Sequence, residues 1–330
     1  IRPDDPSTLH NRAIVESELY RFEDALAGFR RLAAIDASYP HALGNVAYFG
    51  AHLCDWRERA DLVAAIDAGV RGGKDVCAPL TFLSISPDAA SQLRCARIHV
   101  AERHRYTGPA IWRGERYGHP RIRVGYVSAD LHEHAIAYLM AGTFECHDRS
   151  RFEITAYSLG PDTRGPLRGR LERSFDRFVD VRGMPDRAIA ALVREHEIDI
   201  LVDLMGYTGF SRPDIFALRP APVQVNYLGY PGTMGASFID YILADRFVIP
   251  EASRPHYAEH VVYLPDTFQA NDSQRPAVDT CPAREALGLP PDAFVYCAFN
   301  STYKIVPEWF DGWMRALQGV ERSVLWLLGG

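Results

Sequence analysis

Lysine is almost absent from this chain: of its 36 basic residues only Lys74 and Lys304 are lysines, the rest being arginine. Such an arginine excess reflects codon usage and carries no function in itself, but a lysine placed in a loop stands out against it. Cysteine motifs are missing as well. Cys54, Cys77, Cys95, Cys146, Cys281 and Cys297 are widely scattered, with no Cys-x-x-Cys pair and no Cys/His group at zinc-site spacing. Reduced thiols in a cytoplasmic protein are the expectation. No run approaches the roughly 20 apolar residues of a membrane span, the apolar stretch 324–328 being far too short. A formal net charge of −6 excludes a global basic field that would recruit nucleic acid or anionic lipid, though not a local basic site. A signal peptide and an initiating methionine are both lacking, so the chain is expected to be a piece of something longer.

What is present reads as globular. The 330 residues are 47% apolar and 24% charged, a hydrophobic content that disordered chains lack, over the length of roughly two domains. Residues 1–60 read as helix. From Leu19 and Phe22, apolar residues recur at three and four spacing through Leu26, Phe29, Leu32 and Ile35, Pro40 interrupts, and 41–49 restarts. Ala25 and Phe29 resemble the second helix of a tetratricopeptide repeat, whose period is about 34 residues, although Ala37 stands where that repeat usually has proline. An isolated helical pair cannot bury its apolar face alone, so further repeats are expected ahead of Ile1; an ordinary helical hairpin is the alternative. Residues 61–120 continue as a helical junction, with patterning at 62–70 and 88–102, a Gly72-Gly73 break, an apolar stretch at 78–85 and a turn-rich linker at 108–120.

From Arg121 the period changes. Runs of β-branched and aromatic residues at 122–128, 152–158, 177–181, 199–204, 223–228 and 241–244 alternate with helical segments at 135–145, 185–195 and 213–218. That alternation predicts parallel strands joined by crossover helices, a doubly wound α/β sheet over 121–285. The segment 266–291 is turn-rich. A strand at 294–299, a helix at 307–317 and a strand at 323–328 then open a second lobe over 286–330, which is expected to be incomplete.

In an open parallel sheet, ligands bind outside the carboxyl ends of the strands. Strand one is followed by Ala129-Asp130-Leu131-His132-Glu133-His134, a dense set of ionisable groups. His134 falls just before a helix, whose positive end would keep the imidazole neutral, as a general base or acceptor requires. Asp130 could orient it or take a proton itself, and both could equally be polar groups capping a helix. Two histidines at this spacing, with no Cys or further His nearby, do not make a zinc site. Strands four and five lead into Gly206-Tyr207-Thr208-Gly209 and Gly229-Tyr230-Pro231-Gly232-Thr233-Met234-Gly235. These match neither the phosphate-binding loop nor the dinucleotide fingerprint; they suit sugar hydroxyls, or simply close the sheet with tight turns. After the first strand of the second lobe comes Asn300-Ser301-Thr302-Tyr303-Lys304, where a lone lysine is placed to meet a phosphate as a point charge.

Together these motifs carry a resemblance. Arg123-Val124-Gly125-Tyr126-Val127-Ser128 with Asp130 and His134, Leu218-Arg219-Pro220-Ala221-Pro222-Val223-Gln224, Leu228-Gly229-Tyr230-Pro231-Gly232-Thr233, Tyr296-Cys297-Ala298-Phe299-Asn300 with Tyr303-Lys304-Ile305, and Ser323-Val324-Leu325-Trp326-Leu327-Leu328 look like the O-linked N-acetylglucosamine transferases. Cys54-Asp55-Trp56 also resembles the junction after their last repeat. The resemblance implies tetratricopeptide-like repeats ahead of two facing Rossmann-like lobes, the fold called glycosyltransferase B. It implies inverting transfer from UDP-N-acetylglucosamine to Ser or Thr hydroxyls of proteins, without a metal or other cofactor, with acceptors met through the repeats. By the same resemblance His134 is the active-site histidine, Asp130 an alternative proton acceptor, and Lys304 the contact to the diphosphate leaving group. Pro231, Gly232 and Thr233 line the sugar side, with Tyr207, Thr208, Tyr230, Asn300 and Ser301 as further candidate substrate contacts. Ala135-Ile136, Ser301 and a short segment between the lobes depart from the animal members and point to a bacterial relative. Related plant proteins use GDP-fucose, which makes fucosyl transfer the alternative; a binding scaffold with a decayed catalytic region and a sugar-nucleotide epimerase are the others.

Overall fold

The computed structural model describes residues 4–106, 108–275 and 280–328. Residues 1–3 of the expected repeat segment, 107, 276–279 of the expected segment between lobes, and 329–330 lie outside the described residues. The chain divides into two compact units, one formed by 1–87 with 276–330 and the other by 88–275.

The first unit begins with five helices, α1 (Pro6–Glu18), α2 (Phe22–Ile35), α3 (Ala42–His52), α4 (Arg59–Arg71) and α5 (Pro79–Ile85). Helix α1 starts where Asp5 accepts the Thr8 amide, with proline at the first helical position, where its missing N–H costs nothing. The predicted start of α2 at Leu19 moves to Phe22, because Leu19 caps α1 and Tyr20 takes a left-handed φ of 57°, leaving both side chains in solvent. From Phe22 the pattern holds. Ala25, Phe29 and Leu32 are fully buried, and Phe29 stacks on Phe49 of α3 at 5.4 Å. Burying a phenylalanine of this kind contributes about 2–3 kcal/mol.

The second unit opens with α6 (Ala89–Arg103), capped by Asp88 on the Ser91 amide. It then runs β1 (Ile122–Ser128), α7 (Ala135–Glu145), β2 (Phe152–Ser158), α8 (Pro166–Ser174), β3 (Arg177–Asp180), α9 (Asp186–Glu195), β4 (Ile200–Asp203), α10 (Asp214–Ala217), β5 (Val223–Tyr227), β6 (Tyr241–Ala244) and β7 (His260–Tyr263). All seven strands are parallel, in the order β3-β2-β1-β4-β5-β6-β7. This is the doubly wound order extended by one strand. Val124, Tyr126, Ile154, Val202 and Val225 meet Met140, Phe144 and Leu171 of the covering helices in one core. At the amino edge, Asp176, Asp199 and Asp240 each accept the amide of Ile154, Arg123 and Gln224 respectively, satisfying backbone donors where strands begin. Those carboxylates are structural.

The chain returns to the first unit with β8 (Phe294–Ala298), α11 (Pro307–Gly319) and β9 (Ser323–Leu327), the two strands pairing in parallel. Tyr303 packs on Tyr48 and His52 of α3, and Phe310 on Trp56. No helix among the described residues is long and apolar enough to cross a membrane.

Candidate active site

Strand order reverses at β1 and β4, so the crevice of a doubly wound sheet opens outside their carboxyl ends. The loop after β1 is held there from several sides. Asp130 donates its amide to Ser128 Oγ at 2.9 Å, and Leu131 is fully buried. Arg168 of α8, itself buried, donates to the Leu131 carbonyl and to Ser158 Oγ, each at 3.0 Å. A guanidinium spent on a carbonyl and a hydroxyl braces the loop rather than binding an anion.

This bracing sets the geometry of Asp130 and His134. His134 is the N-cap of α7, and its Nδ1 accepts the Ile136 amide at 3.3 Å. The same Nδ1 lies 3.4 Å from Asp130 Oδ2; the histidine side chain is 43% exposed and the aspartate 15%. An Nδ1 that accepts an N–H leaves the neutral ring's proton on Nε2, the ring's donor. Burial pushes the Asp130 carboxyl above the usual carboxylate range, and His134 and His132 pull it partly back. A carboxyl of raised basicity beside an imidazole brings two groups able to exchange protons into one loop.

The two glycine-rich turns are built for packing. Gly206 has φ +56°, and a Cβ there would fall 2.4 Å from the Cβ of Tyr230; a Cβ on Gly229 would fall 2.0 Å from the Leu204 carbonyl. Neighbouring loops at the carboxyl edge therefore touch through glycine. Tyr207 and Tyr230 are buried, and the Tyr207 hydroxyl donates to the Met234 carbonyl at 2.7 Å. Thr208 donates to the Met205 carbonyl at 2.9 Å. Thr233, also buried, donates its hydroxyl to Glu259 Oε2 at 2.7 Å, while Glu259 Oε1 takes the Met234 amide at 2.6 Å. Asn226 Nδ2 reaches the Tyr230 carbonyl at 3.0 Å and the Gly232 carbonyl at 3.4 Å. The side chains of Tyr207, Tyr230 and Thr233 thus face interior partners; Pro231 is exposed, and Gly232 is buried.

Asn300, Ser301 and Lys304 belong to the other unit and are exposed. A short 3₁₀ turn, Thr302–Lys304, is anchored by Tyr303 and by the buried Ile305 on either side of the lysine. The Lys304 ammonium forms no ion pair among the described residues, and Pro307 opens α11 just beyond it without a side-chain cap. Free positive charge beside an uncapped helix start favours an anion.

Four contributors escape any local motif: Arg168, Asp203, Asn226 and Glu259. Asp203 is the last residue of β4 and is 3% exposed; burial pushes its carboxyl up to about 6, against the hydrogen bond from the Met205 amide. A lone carboxylate inside the apolar run 200–205 is the one sequence signal that marks Asp203.

The sheet order is that of the doubly wound α/β class, with ionisable groups beside its switch point, and comparison with known proteins narrows it. The model of Glycosyl transferase family 41 matches residues 85–277 and 270–329. The chain belongs to that family. It is 34% identical over 296 residues to the probable UDP-N-acetylglucosamine–peptide N-acetylglucosaminyltransferase SEC of Arabidopsis thaliana, covering 84% of this chain and 30% of the relative. Against the UDP-N-acetylglucosamine–peptide N-acetylglucosaminyltransferase of Caenorhabditis elegans it is 40% identical over 153 residues, 46% of this chain and 13% of that one. Among solved structures, an O-GlcNAc transferase mutant from Thermobaculum terrenum aligns with a TM-score of 0.75 at 26% identity, over 99% of this chain and 62% of that chain. The chain thus spans under a third of the length of these two curated relatives.

Proposed function

We propose that the protein is an inverting glycosyltransferase that moves N-acetylglucosamine from UDP-N-acetylglucosamine to Ser or Thr hydroxyls of proteins. The observation that carries this reading is the Asp130–His134 pair at the switch point of a family 41 sheet. In the transfer, the acceptor oxygen bonds to the anomeric carbon as the bond from that carbon to the diphosphate oxygen breaks. The hydroxyl proton passes to Asp130, whose raised basicity suits it to the task, while His134 offers Nε2–H to an oxygen of the reacting groups. UDP leaves with its charge met by the Lys304 ammonium, and the scheme calls on no metal. Pro231 and the backbone of Gly232 and Thr233 line the sugar side, and Asn300 and Ser301 flank the lysine.

In the same reading, α1 to α3 are tetratricopeptide-like repeats that meet protein acceptors, 61–120 is a junction, and β8, α11 and β9 begin a second nucleotide-binding lobe of the glycosyltransferase B kind. A cytoplasmic setting belongs to the same reading, supported by cysteines that are scattered and unpaired among the described residues. Calorimetric titration with UDP-N-acetylglucosamine, UDP, GDP-fucose and GDP tests the reading. Tighter binding of the uridine compounds supports it; tighter binding of GDP turns it into fucosyl transfer, and binding of none turns it into a scaffold.

A further inference from the structure

The turn 230–235 has nearly all of its inward polar groups engaged. The carbonyls of Tyr230 and Gly232 go to Asn226, and the Met234 carbonyl goes to Tyr207. The Thr233 hydroxyl is saturated: it donates to Glu259 and accepts the amides of Gly235 and Ala258, each at 3.1 Å. The amides of Tyr230, Gly232 and Thr233, in contrast, donate to no acceptor among the described residues, although all three residues are buried. Buried unpaired N–H groups are costly unless an oxygen comes to them. The turn is therefore clamped through its carbonyls and hydroxyl, with three donors left over, of which those of Gly232 and Thr233 adjoin the clamp.

One residue completes this clamp from outside the turn. Glu259 immediately precedes β7, and its two oxygens take the Thr233 hydroxyl and the Met234 amide, so one rigid carboxylate fixes two consecutive residues. Its side chain is nine-tenths or more buried and forms no ion pair among the described residues. Coulombic pairing does not hold it there; the hydrogen bonds do.

We propose that Glu259 is a positioning residue for the donor sugar: through Thr233 and Met234 it holds the Gly232 and Thr233 amides toward an oxygen of the sugar. The proposal rests on the donor reading given above. Glutamine is not a substitute, because its amide nitrogen would present a donor to a hydroxyl already accepting two bonds or to an amide N–H. A valine at 233 keeps the shape of threonine and loses the hydroxyl, so it removes the same bond from the other side.

The test compares Glu259→Gln, Thr233→Val and Thr233→Ser in the full chain by two measurements. Hydrogen exchange should speed up at the Met234, Gly235 and Ala258 amides in Glu259→Gln and Thr233→Val while the central strands stay protected. In the same two variants KM for UDP-N-acetylglucosamine should rise about tenfold or more, the loss of one charged hydrogen bond, with UDP affinity unchanged and Thr233→Ser close to the parent. Unchanged KM in both variants, or equal losses for UDP and the sugar nucleotide, overturns the positioning role. Unchanged exchange in both overturns the clamp. A parent protein that does not use UDP-N-acetylglucosamine, with exchange altered as expected, leaves the clamp standing and overturns the sugar assignment and the donor reading with it.

Discussion

Replacing Asp203 by asparagine should stabilise the protein, and by an amount that depends on pH. Asp203 ends the central strand β4, is 3% exposed, and has its carboxyl raised from the ordinary 3.8 to about 6 by burial. A raised carboxylate pKa means that the folded state keeps a proton the unfolded chain has released. The stability this confers is full below about pH 4 and is lost as pH rises through 6. Two pKa units correspond to about 3 kcal/mol. Asparagine has nearly the same shape, can still accept the Met205 amide, and cannot ionise. It also brings a donor, and Asn226, the register partner of Asp203 on β5, carries an Oδ1 with no partner among the described residues. Urea unfolding followed at pH 3.5 and pH 8 reads the effect, since other titrating groups cancel in the difference between variant and parent. Asp203→Asn should match the parent closely at the lower pH and exceed it by up to about 3 kcal/mol at the higher. A variant that is destabilised equally at both values would mean that Asp203 is ionised and that its charge is held by a partner.

Other substitutions probe the site itself. Lys304→Ala should weaken UDP binding roughly tenfold to a hundredfold, the loss of a charge-assisted phosphate contact, with unchanged thermal unfolding; unchanged affinity in a calorimetric titration would remove Lys304 from the site. His134→Ala should lose turnover together with about 1 kcal/mol of helix capping, whereas His134→Ser should recover the stability and not the turnover. If serine restores both in single-turnover and melting measurements, His134 is a helix cap and nothing more. Asp130→Asn should lower kcat on the order of a hundredfold or more while UDP affinity holds, and retention of kcat would move the proton acceptor elsewhere.

The sheet was legible in the sequence because its strands are buried on both faces and read as continuous apolar runs broken by turns. The reading reached β1, β2 and β6 to the residue and the others to within a residue or two. It passed over α8, whose sequence carries only Leu167 and Leu171 on its apolar side among arginines and glutamate, and the short edge strand β7. Asp130 and His134 could be found because ionisable groups cluster directly after a strand. Glu259 could not, since it sits 26 residues beyond Thr233 in the chain and only the fold brings the two together. Tyr207, Tyr230 and Thr233 read as ligand-facing because hydroxyls in glycine-rich loops suit a sugar; the structure spends those hydroxyl and ring groups on holding the loops in place. Sequence spacing locates a loop, and the direction of each side chain is set by what packs behind it.

The claim that everything else depends on is the reaction. The direct measurement is transfer: the protein is incubated with Ser/Thr-containing acceptor proteins and either UDP-N-acetylglucosamine or GDP-fucose, and the acceptors are weighed by mass spectrometry before and after. The account predicts acceptors that gain N-acetylhexosamine from the uridine donor, lose the modification with Lys304→Ala, and gain nothing from GDP-fucose. Acceptors that gain deoxyhexose from GDP-fucose, or that gain nothing from either donor while the protein remains folded, would contradict it.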